Sequence, residues 1–166
     1  VSVYRDTYLN LSNDSYNKCN SAYAKGGPMQ AINMLNMNLD MNITDFVTVG
    51  FAGLSNTIDA LGGVMIDVDD AELKHINSYQ MTMAKELKRE YTPVSSTGYQ
   101  LLDGLQATAY CRIRYTKGDD FKRAERQREV LLATLDKAKS ASPATLTAAA
   151  NAIFDNDEIY TSLDIT

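Results

Sequence analysis

Histidine occurs once and cysteine twice in the 166 residues, and the two cysteines, Cys19 and Cys111, stand far apart. A structural zinc site needs closely spaced Cys and His ligands, and a Ser-His or Cys-His nucleophile needs a histidine with an orienting partner. His75 lies in the polar helical run Glu72-Leu73-Lys74-His75, with no such partner in the pattern, and reads as a surface residue. Those chemistries are set aside. No apolar stretch approaches the ~20 residues of a membrane-spanning helix, and no charged-then-apolar leader opens the sequence. The first residues, Val1-Ser2-Val3-Tyr4, lack a methionine and already alternate like a strand, so further sequence is expected upstream, where an anchor or signal would sit. No linker-like tract and no internal repeat interrupts the chain, and a single domain over 1–166 is expected.

What is present is an ordinary globular composition, 45% apolar and 22% charged, with a net charge of −5. That average hides a local contrast. Residues 112 to 128 hold seven cations (Arg112, Arg114, Lys117, Lys122, Arg123, Arg126, Arg128) and three anions (Asp119, Asp120, Glu125), which makes the window +4 and leaves −9 for the rest. A long polyanion would be repelled by that remainder, so no nucleic-acid role is expected.

Along the chain, Val1 to Tyr4 reads as a strand and the Asn-, Ser- and Asp-rich stretch to Asn20 as a loop. Gly26-Gly27-Pro28 reads as a helix entry, with Ala31, Ile32, Leu35 and Leu39 at helical spacing; the preceding Lys25 does not complete a phosphate-loop pattern. A strand over Asp45–Phe51, a short helix over Gly53–Leu61 closed by Gly62-Gly63, and a strand over Val64–Val68 follow. This alternation predicts an α/β fold. A helix is expected over Ala71–Tyr91 and a short one capped by Asp103. Tyr110–Tyr115 is expected as a strand, Asp119–Ser140 and Pro143–Phe154 as helices, and a further element from Glu158.

A strand at Tyr110–Tyr115 would put Arg112 and Arg114 on one face, because side chains alternate with period two. Two guanidinium groups side by side repel unless an anion joins them, and their planar fork matches phosphate oxygens. The competing reading is an edge strand defended by charge. In the helix that follows, at about 100° per residue, Arg123 and Gln127 share a sector with Leu131, Leu135 and Ala138. An arginine and a glutamine on an apolar face imply a polar cavity there, since an unpaired buried charge costs several kcal/mol. The pattern points to an anion site, grading into an apolar surface along Leu131 and Leu135.

Five blocks then carry a resemblance. Arg5-Asp6-Thr7-Tyr8, Lys18-Cys19-Asn20 through Gly26-Gly27, Ile58-Asp59-Ala60-Leu61-Gly62-Gly63-Val64, Tyr110-Cys111-Arg112-Ile113-Arg114, and Gly118-Asp119-Asp120 through Arg126-Gln127 resemble, in order, the LytR-CpsA-Psr family. The resemblance implies an α/β/α sandwich with a central mixed sheet. It implies an extracellular, membrane-anchored phosphotransferase moving glycopolymers, such as teichoic acid or capsular polysaccharide, from a polyprenyl-pyrophosphate carrier to peptidoglycan. The alternatives are a pyrophosphatase acting on the carrier and a non-catalytic binding or regulatory module of the transcriptional-attenuator type.

By the same resemblance Arg112, Arg114, Asp120 and Arg123 would act at the reacting diphosphate, with Arg5, Lys18, Arg126 and Gln127 around it, and Leu131 and Leu135 would receive the polyprenyl tail unless they pack as core. A magnesium ion would assist, its usual aspartate ligands lying in family elements that precede Val1. Tyr4 stands where the family usually has proline, and Cys19 and Cys111 where it has ordinary apolar residues. Because both cysteines fall in motifs that this fold would bring to one site, a disulfide is expected in an extracellular domain; two small buried thiols are the alternative.

Overall fold

A computed structural model describes residues 2–114, 119–154 and 159–163. The chain divides into two compact units, Val1–Thr48 with Tyr160–Thr166, and Val49–Ile159.

In the first unit the strand expected over Val1–Tyr4 is not formed by residues 2–4, and pairing begins later. β1 (Tyr8–Asn10) and β2 (Tyr16–Lys18) form an antiparallel hairpin with Leu9 opposite Asn17. The polar stretch to Asn20 read as a loop thus holds both strands, and only residues 11–15 form the turn between them. Asn10 Oδ1 accepts from the Ser12 N–H and Asn13 Oδ1 from the Ser15 N–H, which lets Ser12 and Asp14 adopt positive φ. α1 (Asn20–Leu39) is broken at Gly26 and Gly27, where φ at Gly27 is 66°, so Pro28 opens the second helical segment as the sequence suggests. Leu11, Cys19, Ala22 and Met34 form the unit's small core. β3 (Val47–Val49) closes this stretch and is shorter than the expected strand, because Gly50 already caps the next helix.

The second unit carries the larger core. α2 (Phe51–Ala60) ends on Gly62 and Gly63, both at positive φ, and β4 (Val64–Val68) alternates buried and exposed residues. α3 (Asp70–Leu87) starts from a capping box in which Asp69 accepts from the Glu72 N–H and Glu72 accepts from the Asp69 N–H. β5 (Gly98–Leu102) pairs antiparallel with β4, Ile66 facing Gln100. A second capping box, Asp103 with Gln106, opens α4 (Gly104–Arg112). α5 (Asp119–Lys139) and α6 (Pro143–Phe154) follow, Ser142 Oγ accepting from the Thr145 N–H before α6. β6 (Ile159–Thr161) leads into Tyr160–Thr166, which belong to the first unit, and pairs with β3.

One expectation is overturned here. Tyr110, Cys111 and Arg112 are the last turn of α4, and no strand runs from Tyr110 through Arg114. Gly104 through Cys111 is buried on all sides, so the helix shows no amphipathic period, and the alternation Arg-Ile-Arg imitates a strand. α4 sits close against α2. A Cβ on Gly104 would lie 1.9 Å from the Ser55 carbonyl oxygen, and the Gly104 N–H donates to Asp59 Oδ1 at 2.6 Å.

Candidate diphosphate-binding cleft

Four helices of the second unit supply one cleft of about 430 Å³, lined by Phe51, Tyr79, Cys111, Arg112, Arg114, Arg123 and Gln127. α2 presents Phe51 at its first residue, α3 contributes Tyr79, and the last turn of α4 brings Cys111 and Arg112. Beyond Arg112 the backbone straightens at Ile113 (φ −57°, ψ 128°), and this exit places Arg114 on the same cleft. Arg123 and Gln127, one helical turn apart on α5, form the opposing wall. Arg112 and Arg114 therefore do converge, through a helix end rather than a shared strand face.

Arg112 is only partly neutralised. The Arg112 guanidinium stacks over Phe51, 4.5 Å from the ring centroid, and its ion pair with Glu86 is long at 3.6 Å. Its Nη1 is buried without a hydrogen-bond acceptor. Arg123, 12% exposed, pairs with Asp120 at 2.9 Å, so the one acidic member of the expected set orients an arginine. The Cys111 thiol is pushed up to about 12 by burial, with Glu129 adding to the shift, and offers no thiolate at neutral pH.

Arg126 is 3% exposed and is not on the cleft wall; its Nε donates to Glu72 Oε1 at 2.8 Å. Arg5 and Lys18 belong to the first unit, where both face Asp6, at 3.5 and 3.0 Å. Leu131 and Leu135 are 59% and 48% exposed, which overturns their reading as core. The buried side of α5 is Arg126 and Val130, and the row Arg123, Gln127, Leu131, Leu135 runs from the cleft onto open surface. On the outside of α5, Lys122 and Glu125 pair at 2.7 Å, the ordinary solvated face of a charged helix.

Two further expectations concern bonds to sulfur and metal. Cys19 and Cys111 are free thiols, which corrects the expected disulfide. Each is buried within its own cluster, and Cys19 Sγ contacts the Tyr4 carbonyl at 3.0 Å. Among the described residues no three His, Cys, Asp or Glu side chains come together, so none forms an all-protein metal cage; magnesium ordinarily takes one or two carboxylates together with substrate phosphates. Sequence reasoning missed Phe51 and Tyr79 as cleft walls, since an isolated aromatic carries no spacing signal. It also missed Glu72 as the partner of Arg126, although Asp69-x-x-Glu72 is legible as a capping box.

The family model LytR_cpsA_psr matches residues 1–166. The chain belongs to the LytR-CpsA-Psr family. It is 34% identical over 146 residues to the polyisoprenyl-teichoic acid–peptidoglycan teichoic acid transferase TagV of Bacillus subtilis (strain 168), covering 86% of this chain and 35% of TagV. Among solved structures it matches TagT bound to LI-WTA with a TM-score of 0.76 and 27% identity, over 99% of this chain and 56% of that one. It also matches the LytR-CPS2A-psr family protein YwtF (TagT) with bound octaprenyl pyrophosphate lipid, with a TM-score of 0.67, 29% identity and coverage of 92% and 59%. The α/β fold expected from the sequence is thus that of the LytR-CpsA-Psr family. The chain spans about a third of the length of the curated relative and somewhat over half of these solved chains.

Proposed function

We propose that this LytR-CpsA-Psr chain carries the diphosphate grip of a phosphotransferase that moves a phosphate-linked glycopolymer from a polyprenyl-pyrophosphate carrier to peptidoglycan. The observation that carries this reading is the convergence of Arg112, Arg114 and Arg123 on one cleft, with Gln127 as a neutral donor beside them. A diphosphate offers several oxygens to such a set, and forked guanidinium groups bind them in pairs. The likeness to transferases, and to a family structure holding octaprenyl pyrophosphate, supports the choice of ligand.

In this reaction an acceptor hydroxyl attacks the phosphorus next to the glycopolymer. The bond from that phosphorus to the bridging oxygen breaks, and polyprenyl phosphate leaves with the bridging oxygen and its electron pair. The hydroxyl proton passes to a base. Negative charge grows on the leaving phosphate, and arginines already fixed around it stabilise that charge without reorganising. Asp120 holds Arg123 in place. Magnesium, implied by the family resemblance, would neutralise part of the diphosphate charge when bound, and no step here depends on it. By this reading the domain works at the outer face of the cytoplasmic membrane, anchored through a segment outside residues 1–166. Among the described residues no helix is long and apolar enough to cross a membrane.

The test is titration with a polyprenyl pyrophosphate, followed by product analysis with an acceptor. Wild type should bind, and Arg112→Gln and Arg114→Gln should each weaken binding at least about tenfold, the scale of a lost charge-assisted pair. Unchanged affinity in both variants sinks the reading. Release of polyprenyl phosphate with no glycopolymer on the acceptor would instead indicate a pyrophosphatase.

A further inference from the structure

Arg126 and Gln127 are neighbours on α5, yet the helix turns them to different places. Gln127 lines the cleft, whereas Arg126 enters the core. Its guanidinium is used from three sides. Nε donates to Glu72 Oε1 at 2.8 Å, Nη1 donates to the Ile113 carbonyl oxygen at 3.1 Å, and the plane lies over the Tyr110 ring, 5.8 Å from its centroid. Glu72 is itself immobilised, because its other oxygen accepts from the Asp69 N–H in the capping box of α3. Tyr110, in turn, donates its hydroxyl to Glu129 Oε2 at 2.9 Å.

The decisive contact is the one to Ile113. That residue is fully buried, it is the C-cap of α4, and it lies between Arg112 and Arg114. A carbonyl at a helix exit has no intrahelical donor, so whichever group bonds it sets the direction in which the chain leaves. We propose that Arg126 is a positioning residue for the diphosphate grip: through Glu72 on one side and the Ile113 carbonyl on the other, it fixes the backbone that aims Arg112 and Arg114. This rests on the proposed function for the identity of the ligand. It reassigns Arg126 from the set expected around the diphosphate.

The geometry explains why arginine is required. A lysine at 126 could keep the charge beside Glu72, but a single ammonium cannot reproduce the fixed fork that reaches Glu72 and Ile113 together. Arg126→Lys therefore separates the positioning role from charge. The experiment measures two quantities on the whole chain: hydrogen exchange of the backbone amides of residues 112–114 without ligand, and affinity for farnesyl pyrophosphate by calorimetry. Arg126→Lys should speed exchange at these amides at least about tenfold, as expected for local opening. It should also weaken binding at least about tenfold, as expected for misplaced contact groups.

Weaker binding with unchanged exchange would mean that Arg126 meets the ligand directly, and would overturn the proposal. Faster exchange with unchanged binding, or no change in either, would overturn it as well. Should Arg126→Lys fail to fold, Glu72→Gln provides the same pair of readings, since its amide oxygen can still accept from the Asp69 N–H while the ion pair is gone. Failure of the wild-type chain to bind farnesyl pyrophosphate would count against the proposed function, and the exchange measurement would still report whether Arg126 holds residues 112–114.

Discussion

The Arg112 guanidinium carbon lies 4.5 Å from the centroid of the Phe51 ring, so the first residue of α2 supports the last residue of α4. Both side chains line the cleft, so the ring supports the guanidinium where a ligand would meet it. A half-exposed pair of this kind contributes about 1 kcal/mol. Phe51→Leu, which keeps apolar bulk and removes the ring face, should lower affinity for a soluble polyprenyl diphosphate about fivefold. The same affinity in wild type and variant would show that the ring does not support Arg112 in the bound state.

At Gly104 the backbones of α4 and α2 come close together. Gly104→Ala would drive a methyl to 1.9 Å from the Ser55 carbonyl oxygen, a backbone atom that cannot swing aside. The helices would have to separate, and the Asp59 hydrogen bond to the Gly104 N–H would stretch. A loss of about 3 kcal/mol is expected, at the upper end for overpacking. Urea denaturation measures it; a midpoint equal to that of wild type would mean that this approach is looser than described.

Cys111 predicts a pH dependence. Burial, with Glu129 adding, raises its thiol from an ordinary value near 9 to about 12 in the folded chain. The unfolded chain therefore releases this proton first as pH rises. Stability from the neutral thiol is fully present below pH 9 and is lost between 9 and about 12, at up to about 1.4 kcal/mol per pH unit. Comparing urea midpoints of wild type and Cys111→Ala at pH 8 and pH 10.5 isolates this contribution from other titrating groups. A stability difference between the two proteins that does not change with pH refutes it. Peptide mapping without reductant should find Cys19 and Cys111 free.

Leu131 and Leu135 continue the row of Arg123 and Gln127 onto exposed surface. Substitution there should change stability by less than about 0.5 kcal/mol, since neither side chain is packed in the core. If the polyprenyl tail follows this row, Leu135→Trp should alter affinity for an octaprenyl diphosphate and spare inorganic pyrophosphate, because only the tail would meet the new ring. Equal changes for both ligands, or none for either, would place the tail elsewhere.

Much was legible from local signals. The helix over Asp119–Lys139, the strand Val64–Val68 after Gly62-Gly63, the Asp103 cap and the gathering of arginines between 112 and 126 each follow from spacing, capping or charge over a few residues. Such signals act within one or two turns of chain, so the sequence alone determined these elements and the chemistry of the site. Tertiary structure decided which way the same residues face. α4 is buried all round, so nothing in its pattern distinguishes a helix end from a strand at Tyr110-Cys111-Arg112. The phase of α5 was set by Glu72, 54 residues away, which draws Arg126 inward and thereby turns Gln127 to the cleft and Leu131 and Leu135 to solvent. A buried charge must find its counter-ion wherever the fold puts one, and the energy of that pairing, which no helical periodicity encodes, chose the face.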